Sequence, residues 1–313
     1  MSDWQPTASA GAIARRAELL ERVRRFFAER NVVEVQTPLL TAAGVTDLHV
    51  ESVATESPPG WLRTSPEYFH KRLLAAGMRD FYELGTVFRR GEAGRYHQPE
   101  FTLLEWYRVG WGWRELAQEV ADLIRLCLAA GSGEWPVHWT GWNDCFEDVL
   151  QIDALAATTS RLRAMADDAP PDLSRDGLLD WLFATRIQPA FEPGTITVVH
   201  DYPASQAALA RISPEDPRVA ERFEVFAGHS ELANGYHELS DPDEQRARFE
   251  RDNRLRRDHG QQEMPVDQRL IDALDAGLPD CSGIALGFDR LVMTVLGASA
   301  IGEVVSFLHQ PSR

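Results

Sequence analysis

The sequence predicts an α+β protein, an antiparallel β-sheet flanked by helices. Strand-like runs come in pairs with short connections, as in "FYELGTVFRRG" with "EFTLLEWYRV" and within "ERFEVFAGHSELANGYHEL". Helical periodicity gathers at a few points and does not follow every strand. No internal repeat or low-complexity linker interrupts the 313 residues, so a single domain over residues 1–313 is expected.

Taken in order, Ile13, Leu20, Val23 and Phe27 mark one face of an amphipathic helix over residues 10–30, with Asn31 at its C-terminal end. "VVEVQTPLL" reads as a strand. "WLRTSPEYFHKRLLAAG" reads as a strand ending near Thr64, then a helix with Pro66 in its first turn and Gly77 beyond its end. Two strands joined by an Arg-rich loop follow, then a helix over residues 115–130. Residues 134–194, rich in Trp, Pro and Asp, read as an irregular segment with short helices. "TITVVHDYP" is a strand, residues 221–239 a hairpin, and residues 243–259 a charged helix whose alternating signs suit a solvated face. "CSGIALG" is a strand of small residues that runs into the helix "FDRLVMTVLG".

The 32 Lys and Arg stand against 48 Asp and Glu, a net charge of −16 that argues against a broad nucleic-acid-binding surface. No apolar run is long enough to span a membrane, and the start lacks the apolar core of a signal peptide. Cys127, Cys145 and Cys281 are far apart and form no C-x-x-C. They are expected to be buried thiols in a reducing cytoplasm.

Against this acidic background "FRRGEAGRYHQPEFTLLEWYR" concentrates Arg89, Arg90, Arg95 and Arg108. Guanidinium groups in such a loop suit phosphate; a surface hairpin with ion pairs is the plainer alternative. On the strand that follows, Phe101, Leu103, Glu105 and Tyr107 share a face, and a carboxylate among aromatics calls for a cation or a donor. Glu224 and Glu231 lie on opposite arms of a hairpin turning near Gly228. Two facing carboxylates imply a bound cation, a shared proton or solvent, and Mg²⁺ is the natural cation beside phosphate. Glu231 and Glu238 have opposite strand parity, so a bulge at "ANG" (residues 233–235) is expected if both face one site. Gly287 allows close backbone approach, and Arg290 sits in the first turn of a helix, where it is unfavourable for the helix itself and suits an anion. Ser65 and Glu67 occupy a strand-to-helix junction, where a helix cap is an adequate explanation for Ser65.

Together these stretches resemble the catalytic core of class II aminoacyl-tRNA synthetases, the lysyl-tRNA synthetases in particular. "FFAERNVVEVQTPLL" looks like motif 1, the dimer-forming helix and strand ending in Pro38; "FRRGEAGRYHQPEF" looks like motif 2 and "GIALGFDRLVM" like motif 3. Motif 1 starts within the first few dozen residues, so no anticodon-binding domain is expected. The resemblance is stronger to the stand-alone paralogues that join (R)-β-lysine to elongation factor P: "VVHDYPASQAALA" and Ala285, where lysyl-tRNA synthetases tend to have glycine, fit that group.

The resemblance implies an ATP-dependent ligase that forms an adenylate and then an amide. Arg89 would hold the α-phosphate and Arg290 the γ-phosphate, the two catalytic cations. Phe101 would stack on adenine, with Gln98, Arg90, Gly91, Glu231, Leu232 and Gly287 completing the ATP site. Glu224 and Glu231 would bind Mg²⁺. Ser65, Pro66 and Glu67 would meet the amine near the carboxylate, while Tyr107 and Glu238 would meet the far ammonium. Elongation factor P would be the acceptor, in a homodimeric cytoplasmic enzyme that uses neither tRNA nor a membrane. Motif 2 usually reads Arg-x-Glu, but Gly91 stands at the third position here, leaving Glu92 as the substitute. A truncated lysyl-tRNA synthetase and a non-catalytic amino-acid-binding regulator are the rival readings; the presence of Arg89, Arg290, Glu224 and Glu231 weighs against the regulator.

Overall fold

A computed structural model describes residues 4–129 and 134–309. Ser9 accepts a hydrogen bond from the Ala12 amide and opens α1 (Ala10–Ala28), which buries Leu19, Val23, Phe26 and Phe27. Asn31, at φ 56°, ends the turn beyond it. The expected strand "VVEVQTPLL" is two short pieces, β1 (Val33–Glu34) and β2 (Leu40–Thr41). It breaks because the Thr37 amide and hydroxyl turn to the Glu83 carboxylate, at 3.1 and 2.7 Å, and Pro38 has no N–H to give a ladder. β2, β3 (Val53–Glu56) and β4 (Pro59–Leu62) form a small antiparallel sheet in the order β2-β4-β3.

The chain continues through α2 (Glu67–Ala75), β5 (Phe81–Phe88), β6 (Glu100–Val109) and α3 (Trp113–Leu128). Residues 134–194 hold more than short helices: β7 (Val137–Gly141) precedes α4 (Trp142–Leu150), α5 (Thr159–Met165) and α6 (Arg175–Leu182). Then come β8 (Ile196–Pro203), β9 (Val219–Ala227), β10 (Ser230–His237), α7 (Pro242–Asp258), α8 (Gln268–Gly277), β11 (Cys281–Gly287) and α9 (Phe288–Leu296). The sequence reading passed over α8.

The main sheet has eight strands in the order β1-β5-β6-β11-β10-β9-β8-β7. It is mixed, which corrects the purely antiparallel expectation: β1 runs parallel to β5 and β7 parallel to β8. Both parallel pairs lie at the ends, where long crossovers separate the partners in sequence. The strands between them are antiparallel throughout.

Strand alternation divides the molecule. Leu104, Trp106, Phe223, Val225 and Ile284 point to a core under α1, α3 and α9. On the other face, α4 to α6 pack on Val199, Tyr202 and Phe226 at one end, and α2 and α8 pack on Phe81 and Tyr107 at the other. The cleft opens on this second face. α7 is less solvated than its charges suggest: Arg248 and Arg256 are buried, and their guanidinium groups donate to the carbonyls of Ala208, Ala210 and Asp47.

Candidate active site

The cleft runs along β6, β11 and β10, with α2, the loop after β5 and the first turn of α9 at its edges. As parity requires, Phe101, Leu103, Glu105 and Tyr107 all line it from β6. One end is cationic. Arg89 places its guanidinium 5.1 Å from the centre of the Phe101 ring and is 3.4 Å from the Glu92 carboxylate. Arg290 reaches from α9 to donate to the Glu231 carbonyl at 3.1 Å and to His97 Nε2 at 2.6 Å. Burial, then the Arg290 charge, lowers the His97 pKa, so its ring is neutral and accepts that bond. Asp289, beside Arg290, accepts from the Thr102 amide at 2.8 Å and pins α9 to β6.

The other end is a buried carboxylate cluster. Glu105, Glu238 and, half-buried, Glu67 face the cleft with Ser65 and Tyr107. Glu105 accepts from the Ser65 hydroxyl at 2.9 Å and from the Tyr107 hydroxyl at 3.1 Å. Ser65 also accepts from the Glu67 amide at 3.0 Å, so its capping and pocket roles coexist; Pro66 is the N-cap position. Lys71, unremarked in the sequence reading, lies 2.9 Å from Glu67 and 2.8 Å from Glu238. Burial works against its ammonium, but Glu238 and Glu67 outweigh that and raise its pKa. One ammonium does not satisfy both carboxylates: burial pushes the Glu238 carboxyl up to about 7 against the pull of Lys71, and its Oε1 is buried without a hydrogen-bond partner. This end holds surplus negative charge.

Glu238 reaches the cleft by a different route from the one expected. The ladder is regular through Asn234 and Gly235, and the irregularity lies earlier, between Glu231 and Ala233, with Leu232 as the extra residue. Gly235 serves packing: a Cβ there would stand 2.6 Å from both Ile284 Cδ1 and Phe223 Cζ. With parity shifted at Leu232, Glu231 shares a face with Asn234, Tyr236 and Glu238, and all four line the cleft. Asn234 and Tyr236 were missed, although their spacing from Glu238 was legible.

Of the residues expected in the site, Ser65, Glu67, Arg89, Gln98, Phe101, Tyr107, Glu231, Leu232, Glu238, Gly287 and Arg290 line the cleft. Arg90, Gly91, Pro66 and Glu224 are not among the lining residues. The Arg90 amide donates to the Glu51 carbonyl, and its side chain points to solvent. Glu224 sits opposite Asn234 in register, 2.6 Å from Arg222. Burial raises its pKa and the nearby Glu231 charge raises it further. No group of three or more metal-binding side chains occurs among the described residues. Glu224 and Glu231 lie on the same face of the β9–β10 hairpin, with Glu231 alone of the two lining the cleft. No helix among the described residues is long and apolar enough to cross a membrane.

A guanidinium over an aromatic ring and a second arginine at one end, carboxylates at the other and antiparallel strands beneath define a class II synthetase type of site. The family model for class II tRNA synthetases (D, K and N) matches residues 3–310, and the chain belongs to that family. Within it, similar proteins carry the name elongation factor P–(R)-β-lysine ligase. The one from Vibrio cholerae is 48% identical, with 98% of each chain covered. Those from Proteus mirabilis and Klebsiella pneumoniae are each 46% identical, covering 98% and 97% of both chains respectively.

Proposed function

We propose that this protein activates (R)-β-lysine with ATP and transfers the β-lysyl group to a lysine side chain of elongation factor P, as one catalytic domain in a cytoplasmic homodimer, without tRNA. The observation that carries this is a single cleft joining a phosphate-suited end to a buried end with surplus negative charge, a match to an amino acid with two ammonium groups. The names of the similar proteins support the choice of amino acid and acceptor.

In the first step a carboxylate oxygen of the amino acid attacks the α-phosphorus in line, and pyrophosphate leaves. In the second, the neutral acceptor amine attacks the adenylate carbonyl, AMP leaves and the amine loses a proton. The protein supplies position and charge, not a nucleophile. Arg89 holds the α-phosphate and Arg290 the γ-phosphate; Phe101 stacks on adenine, with Gln98 and the backbone at Leu232 and Gly287 around it. Glu92, lining the cleft beside Arg89, takes the adenine-reading part that Gly91 lacks. Glu224 and Glu231 would hold Mg²⁺, which when bound neutralises phosphate charge. Ser65 and Glu67 receive the amine nearer the carboxylate, and Glu238 with Tyr107 the far ammonium, joined by Glu105, Asn234 and Tyr236. Ala285 lines the same wall and favours the β-amino acid over α-lysine.

Intact-mass analysis of elongation factor P after incubation with the protein, ATP, Mg²⁺ and (R)-β-lysine tests the proposal. One added lysyl mass, stable to mild base as an amide is, is expected. Efficient tRNA charging beside unmodified elongation factor P would overturn it and favour a truncated lysyl-tRNA synthetase.

A further inference from the structure

His70 lies immediately behind the amine end of the cleft and has no part in the reaction as described above. It is fully buried on α2, between carboxylates from two neighbouring strands. Nδ1 is 3.0 Å from Glu105 Oε1 and Nε2 is 3.0 Å from Glu83 Oε2. An ionised carboxylate only accepts, so two such contacts require a proton on each ring nitrogen. Glu83 is firmly ionised: Arg63 donates to it at 2.7 Å, the Thr37 hydroxyl at 2.7 Å and the Thr37 amide at 3.1 Å. Its carboxyl pKa sits at about 2, because the bonds from His70, Thr37 and Arg63 overcome the cost of burial. Glu105 is likewise surrounded by donors, from Ser65, Tyr107 and His70. The imidazole is also fixed in place, edge-on to Phe81 at 5.2 Å and to Tyr107 at 5.4 Å.

We propose that His70 is a positioning residue of the amino-acid site: a fixed imidazolium that ties Glu105 to Glu83, aims the Glu105 carboxylate into the cleft and sets the charge of the amine pocket. The inference rests on the function proposed above. Around the pocket, Glu67, Glu83, Glu105 and Glu238 face the cations Arg63, Lys71 and His70. With the imidazole charged and Glu67 and Glu238 both ionised, one negative charge remains over. That complements the single net positive charge of an amino acid with two ammonium groups and one carboxylate. An uncharged residue at position 70 would leave two, and Glu105, without its bond to the ring, would be free to rotate away from the cleft.

The two carboxylates in contact with the ring favour its charged form, and the nearby cations Arg63 and Lys71 oppose it. Glu83 and Glu105 touch it directly; Arg63 and Thr37 stand behind Glu83, Ser65 and Tyr107 beside Glu105, and Glu67 and Lys71 on its own helix. The α8 residues packed nearby, Leu270, Ile271 and Leu274, are apolar. Burial lowers the His70 pKa, but the bonds to Glu105 and Glu83 outweigh it and the net shift is upward. The contribution of His70 is therefore present below the ordinary histidine value and is lost as pH rises through the elevated one.

The test compares wild type with His70→Met and His70→Gln by amino-acid-dependent pyrophosphate–ATP exchange across pH, and reads the ring by ¹⁵N NMR in the ligand-free protein. Both ring nitrogens should carry protons at neutral pH. In His70→Met the KM for (R)-β-lysine should rise about tenfold or more. The KM for ATP and the maximal rate should stay within about threefold, and the alkaline limb of the wild-type profile should move. A neutral ring at neutral pH overturns the proposal. So do an unchanged amino-acid KM and pH profile, or equal losses in both KM values and the rate, which would mark a merely structural residue. Absence of exchange with any diamino acid in wild type sinks the proposed function instead, and the NMR result still decides the charge of His70.

Discussion

Replacing Glu238 by glutamine should make the ligand-free protein more stable at alkaline pH while destroying its amino-acid site. The carboxyl is buried, shares the Lys71 ammonium with Glu67, and has a partnerless Oε1. Burial lifts its pKa from 4.5 to about 7. At ~1.4 kcal/mol per pH unit, that displacement is worth about 3 kcal/mol. A raised folded-state pKa contributes stability that is full below 4.5 and lost as pH rises through about 7. Glutamine never ionises and does not lose it, and Lys71 keeps Glu67 as partner. Thermal unfolding of the two proteins should coincide near about pH 5 and diverge by up to ~3 kcal/mol at about pH 8.5. For a chain of this length that is a melting difference of about 4 °C in the variant's favour. (R)-β-lysine should raise the wild-type melting temperature and leave the variant's unchanged. A variant less stable than wild type at alkaline pH, or a gap independent of pH, would refute the claim of surplus negative charge.

Arg290→Ala should abolish amino-acid-dependent pyrophosphate–ATP exchange, because Arg290 bridges Glu231 and His97 at the phosphate end; exchange at the wild-type rate would remove that assignment. In Gly283→Ala the new Cβ would collide with Glu238 Oε1 and the Tyr107 ring, so the amino-acid KM should rise by more than about tenfold while the ATP KM holds. Ala285→Gly should improve exchange with α-lysine relative to (R)-β-lysine, read as the ratio of the two kcat/KM values. Val33, Leu39 and Leu40 are 56%, 43% and 37% exposed along the motif 1 segment, so sedimentation should show a dimer; a 35.1 kDa species alone at micromolar concentration would overturn this.

What could be read from the sequence was what local pattern controls. Strand alternation placed Phe101, Leu103, Glu105 and Tyr107 together on the cleft floor, and the hairpin turn brought Glu224 and Glu231 onto one face. Pairings distant in sequence could not be read. The direction of β1 and β7 depends on crossovers, and β7 hid in a segment whose composition looked irregular. Lys71 was missed because an i,i+4 Glu67–Lys71 pair looks like a surface ion pair until the helix is seen to press that side into the protein. His70 was missed for a related reason: its two carboxylates come from different strands. Arg248 and Arg256 looked solvated because charge patterning does not show which carbonyls a neighbouring loop leaves free.

The extra residue at Leu232 limits how this gene can change length. Residues between the irregularity and Glu238 are phased two by two, so deleting or inserting one codon there would turn Asn234, Tyr236 and Glu238 to the opposite side of the sheet. The same edit at the Gly228-His229 turn would fall where no ladder pairing is recorded and would leave that phase alone. Over this stretch, related proteins should therefore differ by substitution and keep a fixed spacing from Glu231 to Glu238, with insertions collecting at the turn.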